Sequence, residues 1–149
     1  MAIALESYFA EHNCYPAWNV DPNRNVFGKT VLEYPAMAKL PTFSLDSGPH
    51  PNTLTTPLAY LPAYFADPYA PFKGATFCYW TKNFSESGPG KSGWILWSPG
   101  PDKKYDLTLD NIAQIYDPLK PVPSAALLEL TYDPSNGSAS TGDIWRPNK

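Results

Sequence analysis

Apolar side chains recur with helical spacing at the start of the chain. Four residues follow the i, i+3, i+4, i+7 pattern of one helix face: Leu5, Tyr8, Phe9 and His12. Asn13 and Pro16 then form an Asn-x-x-Pro stop. We predict a helix over residues 2–13 that packs on the domain through the first three of these side chains. No Ser, Thr, Asp or Asn precedes it as a cap, which suggests that it is the end of a longer helix.

Two segments further along have the composition of strands. Residues 76–81 and 94–98 are rich in aromatic and β-branched side chains and are bounded by Gly and Pro. They predict two antiparallel strands joined by a loop over residues 82–93. Because side chains alternate along a strand, the apolar run 94–97 points to both faces of the sheet. We therefore expect both faces to be covered.

Three more stretches predict short helices, and the remainder predicts loops. Residues 31–40 favour a helix, although a proline interrupts it. Thr55-Thr56-Pro57 is typical of a helix start, and three side chains after it would face the core: Leu58, Leu61 and Phe65. Residues 123–130 predict a helix capped by Ser124. This order favours one α+β domain over residues 1–149, with the N-terminal helix packed on a small antiparallel sheet and long loops.

Composition and charge narrow the class of protein. Hydrophobic residues make up 43% of the 149 residues and aromatic residues 15%, as expected for a folded chain with a core. The net charge is −3 and Lys and Arg form no cluster, which argues against binding to nucleic acid. The sequence as given contains no run of about 18 apolar residues and no signal peptide, so it predicts no membrane span.

Residues suited to catalysis are few. His12 and His50 are the two histidines, and no Gly-x-Ser-x-Gly motif accompanies them. Residues 85–92 end like a phosphate-binding loop, but the first glycine is missing and a proline removes a backbone donor. A zinc site built from the histidines with Cys14 and Cys78 would lack the close paired spacing of structural zinc sites. We therefore expect no enzyme.

Four short patterns follow one another in a fixed order. They are ALESYFAEHNCYP at residues 4–16, DPYAP at 67–71, GWILWSPGPD at 93–102 and GDI at 142–144. In this order they resemble the major pseudopilins of type II secretion, a branch of the type IV pilin superfamily. The resemblance covers residues 2–16, 54–80, 93–106 and 142–146. The segments 17–53 and 107–135 look like insertions.

The resemblance implies a structural role. In that family a membrane helix continues as an amphipathic stalk, followed by a small antiparallel sheet and a C-terminal loop that holds calcium. It implies a subunit anchored in the inner membrane with its head in the periplasm. Such a subunit assembles with itself, with other pseudopilins and with the secretion machinery into a short fibre.

The residues also support an alternative function. The chain has five Trp and ten Tyr, and exposed rows of such rings bind sugars by stacking. A secreted carbohydrate-binding module is therefore the second hypothesis. The same residues could instead form a small aromatic core, because each ring buries a large apolar area.

The resemblance further implies a calcium site at two aspartates. The family's calcium-binding carboxylates fall on Asp102, in Gly-Pro-Asp, and on Asp143, in Gly-Asp-Ile. Lys103 and Lys104 follow the first aspartate and lower the negative charge of such a site. The alternative is that both aspartates only cap turns, as Asp commonly does.

An exported domain would also favour a disulfide. Cys14 lies where the predicted helix ends, and Cys78 lies in the first predicted strand. In an oxidising compartment a bond between them would tie the end of the helix to the sheet. The alternative is two buried thiols that behave as small hydrophobic groups.

Overall fold

The structure is a computed structural model and describes residues 1–20, 40–43, 54–56, 58–82, 92–120 and 122–148. Its elements in chain order are helix α1 (Ala2–His12), strands β1 (Trp18–Asn19), β2 (Thr42–Phe43), β3 (Cys78–Thr81) and β4 (Trp94–Ser98), helices α2 (Leu109–Ile115) and α3 (Ala125–Glu129), a 3-10 segment (Pro134–Ala139) and strand β5 (Ile144–Pro147). An N-terminal helix, a small antiparallel sheet and long connections make this the α+β fold that the sequence predicts.

Helix α1 forms where the sequence predicts it. Leu5 and Tyr8 are fully buried on its inner face. Phe9 is half-buried beside them and stacks on Tyr15, with the ring centroids 4.6 Å apart. The helix ends at Asn13, which takes the left-handed conformation with a φ of 52° and donates its N–H to the carbonyl of Phe9 at 2.8 Å. The predicted packing residues therefore attach the helix to the domain.

Strand β4 is the centre of a three-stranded antiparallel sheet with the order β3-β4-β5. Strands β3 and β4 pair in the register Cys78↔Trp97, Tyr79↔Leu96, Trp80↔Ile95 and Thr81↔Trp94. Every residue of both strands is buried. The prediction of two covered faces is confirmed.

Helix α1 and the chain that follows it cover one face of this sheet. The indole Nε1 of Trp94 donates to Glu6 Oε1 at 2.7 Å. The hydroxyl of Tyr79 donates to the carbonyl of Pro16 at 2.8 Å, and its ring stacks on Phe43 with centroids 4.1 Å apart. Because cross-strand partners and alternate residues share a side, this helix face carries Tyr79, Thr81, Trp94 and Leu96.

The C-terminal part of the chain covers the opposite face. The indole Nε1 of Trp97 donates to the carbonyl of Leu107 at 2.9 Å. Trp80 meets the ring of Tyr116 edge-on, with centroids 6.1 Å apart. By the same alternation, this C-terminal face carries Cys78, Trp80, Ile95 and Trp97. The sheet is thus a central layer between α1 and the segment that contains α2.

A second, two-residue ladder lies beside β3. Strands β1 and β2 pair antiparallel, with Trp18 opposite Phe43. The carbonyl of Pro41 accepts the N–H of Tyr79 at 3.0 Å, and the indole of Trp18 donates to the carbonyl of Thr81 at 3.0 Å. The sequence predicts turns and loop here, so this ladder was missed.

The helix predicted after Thr55 is wrong for the described residues 54–56 and 58–66, where no helix forms. Leu61 is buried as predicted, but Leu58 and Phe65 are 52% and 54% exposed. In a helix the N–H of Leu61 would donate to the carbonyl four residues earlier. Here it donates to the carbonyl of Leu54 at 2.9 Å, seven residues earlier, so the chain forms a turn wider than a helical turn. Pro57 of the predicted start lies outside the described residues.

The C-terminal half follows the sequence in part. Helix α3 is confirmed within residues 123–130, and Ser124 Oγ accepts the N–H of Leu127 at 3.1 Å as its cap. Helix α2 and strand β5 were missed. Residues 31–39 of a predicted helix and residues 83–91 of the predicted strand connection lie outside the described residues.

Candidate functional site

Asp143 lies at a buried junction of three chain segments. Its side chain is 0% exposed. Its Oδ1 accepts the backbone N–H of Asp106 at 3.2 Å, and its Oδ2 accepts that of Leu107 at 2.7 Å. Its own N–H donates to the carbonyl of Leu130 at 2.8 Å, and its carbonyl accepts the N–H of Tyr132 at 3.0 Å. One residue therefore ties the strand that follows it to two distant loops.

Asp106 completes this junction from the other side. Its Oδ2 accepts the N–H of Gly142 at 2.8 Å. Gly142 has a φ of +95°, and a Cβ added there would lie 2.7 Å from the carbonyl carbon of Thr131. A glycine is required at this position by both the backbone angle and the close approach. We call the reciprocal bonds among Asp106, Leu107, Gly142 and Asp143 the aspartate clasp.

The electrostatics of the clasp depend on backbone groups. Burial raises the pKa of Asp143 to about 7, although the N–H groups of Leu107 and Asp106 act to lower it. The nearby carboxylates of Asp106 and Asp102 raise this pKa further. The favourable partners of the carboxylate are thus two amide dipoles, which stabilise its charged form where water is excluded.

Asp102, the other predicted calcium ligand, caps its own turn. Its Oδ1 accepts the backbone N–H of Lys104 at 3.1 Å. The N–H of Lys103 donates to the carbonyl of Gly100 at 3.1 Å, which closes the same turn. Asp102 is near enough for its charge to raise the pKa of Asp143, but the oxygens of the two residues accept from different donors.

This donor set does not fit the calcium site that the resemblance implies. Calcium requires six to eight oxygen ligands around one point. Within the described residues, no group of three or more His, Cys, Asp or Glu side chains is arranged to hold a metal ion. Both oxygens of Asp143 already accept amide protons, and so does one oxygen of Asp102.

The two cysteines of the predicted disulfide lie apart in the structure. Cys14 and Cys78 are both buried, and no S–S bond joins them. Cys78 lies on the C-terminal face, where burial and the charges of Asp143 and Asp67 raise the pKa of its thiol. Cys14 follows α1 and lies near Tyr8 on the other side of the sheet. The sheet therefore lies between the two buried thiols.

Asp67 is a buried polar residue whose burial the sequence did not reveal. Its Oδ1 accepts the N–H of Tyr69 and the hydroxyl of Ser98, each at 2.9 Å. Its Oδ2 is buried and has no hydrogen-bond partner among the described residues. Burial therefore raises the pKa of Asp67 above its ordinary value. The Asp-Pro pair in the sequence predicts a turn. The burial of Asp67 beside the sheet depends on its contact with Ser98, which is far away in sequence.

His12 packs among aromatic rings. Its ring centroid lies 4.3 Å from that of Tyr8, and its Nε2 lies 3.1 Å from the hydroxyl of Tyr60. The hydroxyl of Tyr60 donates to Glu11, so both polar contacts of this hydroxyl lie at the C-terminal end of α1. His50, the other histidine, lies outside the described residues. The described contacts of His12 are those of a packing residue and include no Ser or Cys nucleophile.

The aromatic side chains belong mostly to the core. Four of the five tryptophans are buried: Trp18, Trp80, Trp94 and Trp97. Trp145 is half-buried and donates from Nε1 to Thr131 Oγ1 at 2.8 Å. The exposed aromatic side chains of the described residues include Phe65 and Tyr69, which lie in one loop. The tryptophans therefore offer little surface for a row of stacked sugars.

Two cavities flank the start of α1. One of about 460 Å³ lies between the helix and β5 and is lined by residues that include Met1, Phe77 and Trp145. The other, of about 690 Å³, follows the open side of the helix past Ile3. Arg146 lines both cavities and supplies their shared positive charge.

Neither the described helices nor comparisons with known proteins assign this chain to a class of protein. Among the helices in the described ranges, none has the length and apolar character needed to cross a membrane. No protein-family model, no curated protein and no solved structure matches the chain.

Proposed function

We propose that this chain is the head domain of a pseudopilin-like fibre subunit, with a structural rather than a catalytic role. The observation that carries the proposal is the attachment of α1 to the helix face of the sheet. In this chain the N-terminal helix, the antiparallel sheet and the C-terminal tail follow one another in the order that the resemblance implies. The proposed full-length subunit is anchored in the inner membrane, and its head lies in the periplasm.

Apolar and polar contacts together make α1 and the sheet one unit. Leu5 and Tyr8 are fully buried, and a buried leucine side chain contributes roughly 1.5–3 kcal/mol by leaving water. Glu6 accepts a hydrogen bond from the indole of Trp94 at 2.7 Å and one from the hydroxyl of Tyr15 at 3.3 Å. A force applied along the helix would therefore reach the sheet directly, as a subunit carried by a helical stalk requires.

The open side of the same helix provides the surface for neighbouring subunits. Ile3 is 84% exposed, and Ser7 and Ala10 are exposed on the same side. Small side chains let a second helix approach closely, and an exposed isoleucine gains from being covered. We propose other copies of this subunit, other pseudopilins and the secretion machinery as partners.

The test uses the protein expressed from its complete gene in its native host. We expect it in the membrane fraction, and we expect Ile3→Cys to form oxidative cross-links between copies. Leu119→Cys, at an apolar position on the C-terminal side that is 71% exposed, is the matched control and should cross-link far less. Recovery of the protein as an unlinked, freely soluble species would contradict the proposal.

The carbohydrate-binding alternative has less support, because four of the five tryptophans are in the core. Affinity electrophoresis in gels that contain polysaccharide separates the two hypotheses. A binding module should be retarded, whereas a fibre subunit should migrate as it does in a plain gel. Retardation that is lost in Tyr69→Ala would favour the alternative.

A further inference from the structure

We propose that the aspartate clasp closes the C-terminal tail without a metal ion, at the place where the resembled family holds calcium. The inference goes beyond the proposed function and does not rest on it, because it concerns how the tail is held whatever the head assembles with. The two predicted ligands, Asp102 and Asp143, accept hydrogen bonds from backbone amides instead.

Both carboxylate oxygens of Asp143 accept protons from backbone amides. Each oxygen of Asp143 accepts one backbone N–H, from Asp106 at 3.2 Å and from Leu107 at 2.7 Å. Asp106 returns a bond by accepting the N–H of Gly142 at 2.8 Å. An ion in the family's position would have to share these oxygens with the amides, and within the described residues no group of three or more His, Cys, Asp or Glu side chains is arranged to complete its ligand shell. The clasp therefore holds Asp143 in an arrangement of hydrogen bonds that needs no ion.

The aspartate clasp is connected to the core of the domain through Leu107 and β5. Leu107 is fully buried, and its carbonyl accepts the indole N–H of Trp97 on the C-terminal face. Gly142 and Asp143 lead directly into Ile144, the first residue of β5, which pairs with Ser98. The clasp thus fixes the entry of β5 relative to the centre of the sheet, which is what an ion bound at this place would do.

Local hydrogen bonds also hold the polar tail in its folded conformation. Asp133 Oδ1 accepts the N–H of Ser135 at 2.8 Å, and its own N–H donates to Ser140 Oγ at 3.1 Å. The N–H of Ser140 donates to the carbonyl of Gly137 at 3.2 Å. Side-chain oxygens that could have been calcium ligands are therefore engaged in turns. Local hydrogen bonds and the clasp together account for the folded tail.

The experiment is a set of thermal melts of the intact chain in excess calcium and in excess chelator. The wild type should melt at the same temperature in both buffers. Asp143→Asn keeps the size but leaves one acceptor for two amides, so we expect a loss of about 5 °C in both buffers. Asp102→Asn is the matched control, because its remaining oxygen still caps its turn, and it should melt within about one degree of the wild type.

Amide hydrogen exchange gives a second readout. In Asp143→Asn the N–H groups of Asp106 and Leu107 should exchange faster, whereas those of β3 should not change. Should Asp143→Asn fail to fold, Asp106→Ala removes only the bond to Gly142 and should still lower the melting temperature without any calcium dependence. A wild type that calcium stabilises by several degrees, with the gain lost in Asp102→Asn, would overturn the proposal. So would an Asp143→Asn variant as stable as the wild type.

Discussion

The two covers of the sheet are held in different ways. On the helix face, Leu5 and Tyr8 bury apolar surface, and Tyr79 stacks on Phe43. On the C-terminal face, Leu107 and Ile112 bury apolar surface as well, but the tail is fixed in addition by a buried carboxylate and the amide protons that it accepts. Apolar burial is non-directional and scales with area, whereas the clasp depends on the direction and length of each hydrogen bond.

This difference predicts how each cover responds to change. The helix cover should lose stability in proportion to the apolar volume removed and should tolerate replacements of similar volume. The clasp should respond to single atoms, because one added methyl group or one lost acceptor affects a bonded amide directly. Matched pairs of variants, one pair for each feature, test this distinction.

The largest effect is expected on the helix cover. Leu5→Ala removes a fully buried side chain and should lower the free energy of unfolding by about 3 kcal/mol, through lost burial and the cavity left behind. Ile3→Ala is the control on the same helix, because Ile3 is exposed and its truncation should change stability by less than about 0.5 kcal/mol. Urea unfolding followed by circular dichroism measures both. Equal losses would mean that α1 is not held through its inner face.

The next effect is expected in the clasp. Gly142→Ala places a Cβ against the backbone of Thr131 and Tyr132 at 2.7–2.9 Å and strains a φ of +95°, so we expect a loss of about 2 kcal/mol or more. Gly74→Ala has a φ of +81° but meets no atom within 4 Å, so it should cost only the backbone strain of about 1 kcal/mol. The difference between their urea midpoints isolates the close contact. A Gly142→Ala variant no worse than Gly74→Ala would show that the junction is loose.

The sequence predicts the helix cover better than the clasp because the former is encoded locally. The spacing of Leu5 and Tyr8 identifies the buried side of α1, and the aromatic composition identifies β3 and β4. The donors to Asp143 belong to residues 106 and 107, which no spacing rule connects to it. The resemblance pointed to Asp143, but only the fold shows that amides are its partners.

Strand β5 was missed for a different reason. Pro147 lies inside it, and a proline within a strand pattern normally argues against a strand. In the observed register Pro147 is opposite Ile95, while the neighbouring Asn148 donates its N–H to the carbonyl of Trp94. Bonded and non-bonded pairs alternate in an antiparallel ladder, so β4 requires no N–H from Pro147. The proline is acceptable because β5 is the edge strand.

A smaller effect should mark the polar attachment of α1. Glu6→Ala leaves the indole N–H of the buried Trp94 without its acceptor and should cost about 1–2 kcal/mol. Glu6→Gln keeps an acceptor oxygen and is the matched control, with an expected loss below about 0.5 kcal/mol. The near-ultraviolet circular dichroism of the tryptophans reports the local change. If neither variant loses stability, the hydrogen bonds of Glu6 contribute nothing measurable, and the contrast between the helix cover and the clasp becomes sharper.

The smallest effect is a change in the pH dependence of stability at two aspartates that are shifted in opposite directions. Burial raises the pKa of Asp67, so its contribution is fully present below the ordinary value of 3.8 and is lost as the pH rises through the raised pKa. Asp67→Asn is neutral throughout, so its stability relative to the wild type should improve as the pH rises above 3.8.

The hydrogen bond from Lys82, at 3.0 Å, lowers the pKa of the exposed Asp117. The contribution of Asp117 to stability is therefore present above 3.8 and is lost as the pH falls through the lowered pKa. Asp117→Asn should therefore lose stability relative to the wild type as the pH rises from this lowered pKa to 3.8, and added salt should screen this loss. Melting temperatures between about pH 2 and 7, on both sides of the ordinary carboxyl pKa, measure both slopes, and slopes of the same sign would contradict the contrast between a buried and a surface carboxylate.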